Sequence, residues 1–216
     1  MTSQEIAAIR ESYSKASLSE QDINKDPIEQ FRNWFSEAVD AEVIEPNAMA
    51  LGTVGKSGQP AVRIVLLKGV EKRGFVFFTN YQSHKGQEME SNPHVALTFF
   101  WPELERQVRI KGLVEKVPAS ESDEYFHSRP RDSRIGAWAS PQSKAIDSRE
   151  VIEKNVQELM GQFGEEGEVP RPLHWGGYLV RPHEIEFWQG RPSRLHDRIC
   201  FYKQEDRSWK IVRLAP

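Results

Sequence analysis

The segment Arg194-Leu195-His196-Asp197-Arg198 sets three cationic or cationisable side chains at alternate positions. As an extended strand it would carry Arg194, His196 and Arg198 on one face and Leu195 and Asp197 on the other, because strand side chains alternate at period two. Like charges in one row repel unless an anion faces them, so the row suits a ligand with phosphate or carboxylate groups. Taken alone, it is better explained as a solvated edge strand, since charged edges also discourage aggregation.

Other stretches carry the same kind of chemistry. Arg63-Ile64-Val65-Leu66-Leu67-Lys68 places aliphatic residues between an Arg and a Lys on opposite strand faces. A guanidinium fork and a compact ammonium both suit phosphate, although charges at the ends of a buried strand are usually its wet ends. Phe78-Thr79-Asn80 leads into Ser83-His84-Lys85, a strand end followed by a capped helix start. Free backbone N–H groups there favour an anion, and an ordinary cap beside a solvated Lys fits equally well.

In Glu105–Lys111, Gln107, Arg109 and Lys111 share one strand face and Val108 and Ile110 the other. Tyr125, Arg129 and Ser133 recur every fourth residue, so a helix would align two hydroxyls and a guanidinium on one phosphate. Pro130 interrupts that helix and suits the first turn of the next. Pro141-Gln142-Ser143 is a polar loop with no independent signal. No His, Cys and carboxylate set has metal-ligand spacing, and no nucleophile elbow is present.

The elements that must position these residues change character along the chain. Residues 1–25 are polar and read as a mobile arm or a short helix from Gln4 to Lys15, on which Arg10 and Tyr13 share a face. Asp26-Pro27-Ile28-Glu29 opens a helix with a cap, an N1 proline and a capping-box pattern; Ile28, Phe31, Phe35, Ala38 and Val39 form its apolar stripe. From Ala48 to Val114 the period is two, giving strands at 48–54, 61–68, 74–79, 94–100 and 105–115, with a short helix at 83–92. Helices follow at 119–128, 132–139 and about 150–163, the last capped from Asp147-Ser148. Strands at 175–180, 184–188, 198–202 and 209–214 end the chain.

Strands joined by local turns argue for an antiparallel barrel decorated by helices, an α+β chain that is mainly β. No Gly-rich phosphate loop joins a strand to a helix. The 216 residues carry a net charge of −3 with signs interspersed, which excludes bulk nucleic-acid or membrane affinity as the reason for the basic motifs. A single cysteine, Cys200, and a polar, acidic N-terminus fit a cytoplasmic protein.

Together these stretches resemble the pyridoxamine 5′-phosphate oxidase family, in the same order over roughly Ile28 to Pro216. The resemblance is carried by Arg63–Lys68, Phe77–Asn80, Glu105–Val108, Tyr125–Ser133 with Ile135–Trp138, Phe187–Gly190, Arg194–Arg198 and the terminal Arg213-Leu214-Ala215-Pro216. It implies an FMN-binding split β-barrel over residues 26–216 behind an arm of residues 1–25. It also implies a homodimer with FMN between subunits. The implied reaction is oxidation of pyridoxamine or pyridoxine 5′-phosphate by O2, giving pyridoxal 5′-phosphate, H2O2 and, from the amine, ammonia.

Carried over residue by residue, the resemblance gives FMN the stretch Arg63, Ile64, Val65, Leu66, Leu67 and Lys68. It adds Phe78, Thr79, Ser83, His84, Lys85, Gln107, Gln142, Ser143, Trp188 and Arg198. Lys68, Tyr125, Arg129 and Ser133 would hold the substrate phosphate. Arg194 and His196 would act catalytically over the pyridine ring, and Arg10 and Tyr13 would cover it. No metal is implied. Two positions depart from the family: His84 stands where Arg or Lys is frequent, and Glu45 where some members have Asp.

Overall fold

The computed structural model describes residues 1–9 and 12–216. Its strands are β1 (Ala48–Val54), β2 (Pro60–Leu66), β3 (Gly69–Glu71), β4 (Gly74–Asn80), β5 (His94–Trp101), β6 (Arg106–Lys116), β7 (Trp175–Gln189), β8 (Asp197–Lys203) and β9 (Trp209–Leu214). They join in the order β2-β1-β5-β6-β7-β4-β3, with β8 on β7 and β9 on β8. The helices are α1 (Ser3–Ala8), α2 (Pro27–Asp40), α3 (His84–Ser91), α4 (Ala119–Ser128), α5 (Arg131–Ala139) and α6 (Glu150–Phe163). The chain divides into two compact units, one of Met1–Ala50, Ala96–Lys111 and Pro182–Pro216, the other of Leu51–Val95 and Gly112–Arg181.

In the first unit α2 starts where its caps require. The Asp26 carboxylate accepts the Ile28 N–H at 2.8 Å and Pro27 occupies the first turn. Glu29 does not complete the expected capping box; it pairs instead with Arg32 one turn on, at 3.2 Å. The buried stripe is Ile28, Phe31, Trp34 and Ala38, while Val39 is 51% exposed. Phe31 stacks on Phe35 and meets Phe99 edge-on at 5.0 Å, and Trp34 meets Phe187 edge-on at 5.2 Å. Each such buried ring contributes roughly 1.5–3 kcal/mol, which anchors α2 more firmly than its helix propensity could. β8 pairs antiparallel with β7 (Phe187↔Ile199, Trp188↔Arg198) and with β9 (Ile199↔Arg213).

In the second unit β4 is covered on both faces, and it pairs antiparallel with β7 from Phe75↔Val180 to Asn80↔Trp175. Beside it Phe126, Ile135, Val169 and Trp175 form a buried cluster that α6 completes with Val156, Leu159 and Phe163. Three expectations are corrected here. The two strands expected at 175–180 and 184–188 are one continuous strand, because no backbone break falls at Pro182. α6 begins after Arg149 without a side-chain cap, as the Ser148 hydroxyl bonds the Glu150 carboxylate instead. In the N-terminal segment the helix ends at Ala8, so Tyr13 lies beyond it; Arg10 lies outside the described residues.

Candidate functional site

Two cavities gather most of the residues singled out from the sequence. The one in the second unit, of about 750 Å³, is lined by Arg63, Ile64, Val65, Leu66, Lys68, Phe78, Thr79, Lys85, Tyr125, Arg129, Ser133 and Gln142, among others. Two helix boundaries build one wall. α4 ends at Ser128, the extended backbone of its C-cap Arg129 (φ −77°, ψ 149°) turns the chain, and α5 opens behind Pro130. A continuous helix is therefore not what aligns Tyr125, Arg129 and Ser133; the break at Pro130 does so. No side chain caps α5, so the first-turn N–H groups around Ser133 are left to a ligand or solvent.

The aromatic cluster fixes the same wall. Tyr125 stacks on Phe78 with centroids 3.9 Å apart, and the Arg129 guanidinium lies 4.6 Å from the Trp175 ring centroid. Arg129 Nη1 is buried without a hydrogen-bond partner, and burial lowers the pKa of the guanidinium. A buried orphan donor of this kind calls for an acceptor. Lys85 is comparable. Burial, then the neighbouring charge of Arg63, lowers its pKa; Nζ donates to Gln142 Oε1 at 2.9 Å and Ser83 Oγ at 3.1 Å, both neutral. Among the described residues neither Lys68, Lys85 nor Arg129 forms an ion pair with a carboxylate. Arg63 differs: it bonds the Leu51 carbonyl, Thr53 and the Glu88 carboxylate, the last at 3.0 Å.

Several assigned residues stand behind or beside this cavity. Ser83 is fully buried as the cap of α3, accepting the Gly86 N–H, and Leu67 is buried. Ser143 follows Gln142 in an exposed turn at φ 70°. His84 faces a different, more open groove with Lys56, Glu88 and Lys116.

The cavity in the first unit, of about 600 Å³, is lined by Ile9, Ser12, Tyr13, Arg191, Ser193, Arg194 and His196. The single strand face expected for Arg194, His196 and Arg198 is not formed. Pro192–Arg194 is a 3-10 turn with Ser193 and Arg194 at φ 57° and 61°, and β8 starts only at Asp197. Pro192 and the left-handed pair break the period-two pattern. Arg194 and His196 therefore share a cavity wall as loop residues. Arg198 sits on β8 and its Nε and Nη2 donate side by side to the two oxygens of the buried Glu186 carboxylate, at 3.0 Å each, while Nη1 donates to the Ala215 carbonyl at 2.9 Å.

His196 Nδ1 accepts the Arg191 N–H at 3.1 Å, which leaves any ring proton on Nε2. Burial, then the charge of Arg194, lowers its pKa from the usual 6.5. Its ring lies 4.5 Å from that of Trp188 and 5.8 Å from that of Tyr13. Gln107 is half-buried on β6, next to Val108, which is fully buried as the alternation required. Sequence reasoning passed over Glu105, Glu186, Arg191 and Asp197. Carboxylates inside a basic motif are recognisable as clamps only once their partners are known. Among the described residues no His, Cys, Asp and Glu group could hold a metal.

An antiparallel, helix-decorated chain with a cationic, orphan-bearing cavity has donor groups that suit an anionic ligand. The comparisons make that class specific. Residues 35–163 match the model of the pyridoxamine 5′-phosphate oxidase family, and residues 175–216 match the pyridoxine 5′-phosphate oxidase C-terminal dimerisation region. The chain belongs to the pyridoxamine 5′-phosphate oxidase family. It is 56% identical to a pyridoxine/pyridoxamine 5′-phosphate oxidase of Salinibacter ruber, over 98% of this chain and 99% of that one. It is 59% identical to one of Polynucleobacter asymbioticus, with the same coverage. Its fold is similar to that of PhzG from Burkholderia lata, solved with tetrahydrophenazine-1-carboxylic acid (TM-score 0.88, 29% identity, 95% of this chain and all of that one). A pyridoxamine 5′-phosphate oxidase-related, FMN-binding protein of Nostoc punctiforme shares the fold at a TM-score of 0.69 and 15% identity, over 86% and 97% of the two chains. The split-barrel fold expected from sequence is borne out.

Proposed function

We propose that this chain is an FMN-dependent oxidase that converts pyridoxamine 5′-phosphate and pyridoxine 5′-phosphate to pyridoxal 5′-phosphate. O2 is the acceptor; H2O2 and, from the amine, ammonia are released. The observation that carries the reading is the buried, unpartnered Nη1 of Arg129, in one cavity with Lys68, Tyr125 and Ser133. Two hydroxyls, a guanidinium and an ammonium without a carboxylate match a phosphate monoester dianion. The relatives at 56–59% identity are named for oxidation of such vitamers.

The donor set fits FMN as well. Lys85, Gln142, Thr79, Arg63, Ile64, Val65, Leu66 and Lys68 line the cavity, with Ser83 behind Lys85, and they suit a phosphate and a polar chain. When bound, FMN supplies the hydride-accepting chemistry and passes electrons to O2. The protein's own residues orient and polarise. Arg129 and Lys68 neutralise the substrate phosphate. Arg194, which among the described residues has no carboxylate partner, stabilises negative charge at the pyridine ring. His196, kept neutral with its proton on Nε2, offers a hydrogen-bond donor there. Residues 1–25 act as an arm over Arg194 and His196, and residues 26–216 act as one split-barrel domain.

The enzyme works as a homodimer. The matched dimerisation region supports this, as does the apolar face of β2, where Val62 is 70% and Ile64 66% exposed. A cytoplasmic location fits the single cysteine. The test is a visible spectrum of the purified holoprotein before and after anaerobic pyridoxine 5′-phosphate. Bleaching of the flavin, followed on aeration by aldehyde and peroxide, is expected. A flavin that stays oxidised with substrate and bleaches with a reduced nicotinamide would instead make this a flavin reductase.

A further inference from the structure

Glu105 precedes β6 and is 93% removed from solvent in a left-handed conformation, φ 55°. A left-handed Glu costs roughly 1 kcal/mol or more relative to Gly, so something must hold it there. Its Oε2 accepts two successive main-chain N–H groups, Ser14 at 2.8 Å and Lys15 at 2.9 Å. Its carbonyl accepts the Gly190 N–H at 2.7 Å, immediately beyond Trp188-Gln189. The neighbouring contacts extend the grip along the N-terminal segment. Arg191 donates to the Ala16 carbonyl at 3.1 Å, Asp197 Oδ2 accepts the Leu18 N–H at 3.1 Å, and Arg213 donates to the Leu18 carbonyl at 3.0 Å.

What this grip places is Tyr13. Its ring stands edge-on to Trp188, with centroids 5.8 Å apart, and borders the cavity that holds Arg194 and His196. The backbone leaves the ring no slack. A Cβ on Gly190 would come within 2.7 Å of Tyr13 Cγ and 3.0 Å of Glu105 Cβ. The Gly190 backbone, Glu105 and Tyr13 are therefore a matched set, with the carboxylate as the part that fixes the segment by hydrogen bonds.

We infer that Glu105 is a positioning residue: its buried carboxylate binds the Ser14 and Lys15 main chain and thereby seats Tyr13 as a wall of the Arg194/His196 cavity, tightening the hold on the substrate. This rests on the oxidase reading for its kinetic consequence and not for its geometric one. Glu105→Gly removes the carboxylate while suiting the left-handed backbone, so the turn into β6 keeps its conformation. Glu105→Gln keeps an oxygen for the two N–H groups and serves as the conservative rescue.

The expected result in the holoenzyme is a KM for pyridoxine 5′-phosphate raised about tenfold in Glu105→Gly, with kcat within about twofold and flavin content unchanged. Glu105→Gln recovers most of the loss. In a Tyr13→Ala background, Glu105→Gly adds nothing further, because both changes remove one device. Limited trypsin digestion, read by mass spectrometry at the Lys15 bond, should accelerate in Glu105→Gly and not in Glu105→Gln. Additive effects of Tyr13→Ala and Glu105→Gly on KM, or unchanged cleavage at Lys15, would overturn the inference. Faster cleavage in a protein whose wild type shows no turnover would leave the positioning intact and sink the oxidase reading instead.

Discussion

The two units treat most of their motif cations in opposite ways. In the second unit Arg63 is paired with Glu88, but among the described residues Lys68, Lys85 and Arg129 face the cavity with only neutral partners or none, and burial lowers the pKa of Lys85 and Arg129. In the first unit carboxylates occupy the cations: Arg198 on Glu186, and Arg191 and Arg213 on Asp197, with Arg213 also on Glu20. The Arg213 pair holds the Glu20 carboxyl down at about 2. The first arrangement leaves charge for a ligand. The second uses charge to shape a loop and an N-terminal segment and leaves Arg194 over. A basic motif can thus be a binding site or a scaffold, and the nearest carboxylate distinguishes the two.

Substitutions can break that contrast. Arg194→Ala is expected to lower turnover by about 10²- to 10³-fold while flavin content, read at the visible bands, stays near wild type. Equal loss of flavin and activity would place Arg194 with the scaffold cations. Arg129→Ala should raise the KM for the phosphorylated vitamer about 10- to 100-fold, since it removes a charge-assisted pair of hydrogen bonds. Steady-state kinetics with Arg129→Lys should recover only part of that, because an ammonium lacks the fork.

Lys85→Ala should weaken FMN binding about tenfold in a fluorescence titration of apoprotein. The wild-type affinity should fall as pH rises through the Lys85 pKa, which lies below the usual 10.5, because the ammonium is the form an anion favours. An unchanged FMN affinity with a raised substrate KM would move Lys85 to the substrate phosphate.

The smallest effect concerns His196. Its folded-state pKa lies below 6.5, so the unfolded chain takes up the proton first. The contribution to stability is complete above pH 6.5 and is lost as pH falls through the folded pKa, where protonation also breaks the bond from the Arg191 N–H. An NMR titration of the ring should show a midpoint under 6.5 in the free protein and a lower one still with a cationic neighbour added. Arg194→Ala should move it back up.

Much of this molecule was legible as sequence because local rules decide it. Asp26-Pro27 starts α2, Ser83 caps α3, and the alternation in β6 buries Val108 and Ile110 and exposes Arg109 and Lys111. The motif order alone indicated the family and gathered most of the residues that line the cationic cavity. Most of those residues lie within short windows on strands and around helix ends, where spacing fixes direction.

What only the tertiary structure decided is which charges are free. The Arg194–Arg198 row looked uniform by period, yet Pro192 and two left-handed residues turned Arg194 and His196 into a loop. Glu186, twelve residues from Arg198 in sequence, then took Arg198 away across the β7–β8 ladder. Glu105 is some ninety residues from the main chain it holds. Whether a cation binds a ligand depends on the carboxylate within about 3 Å of it. Chain topology sets that distance, and no local pattern encodes it.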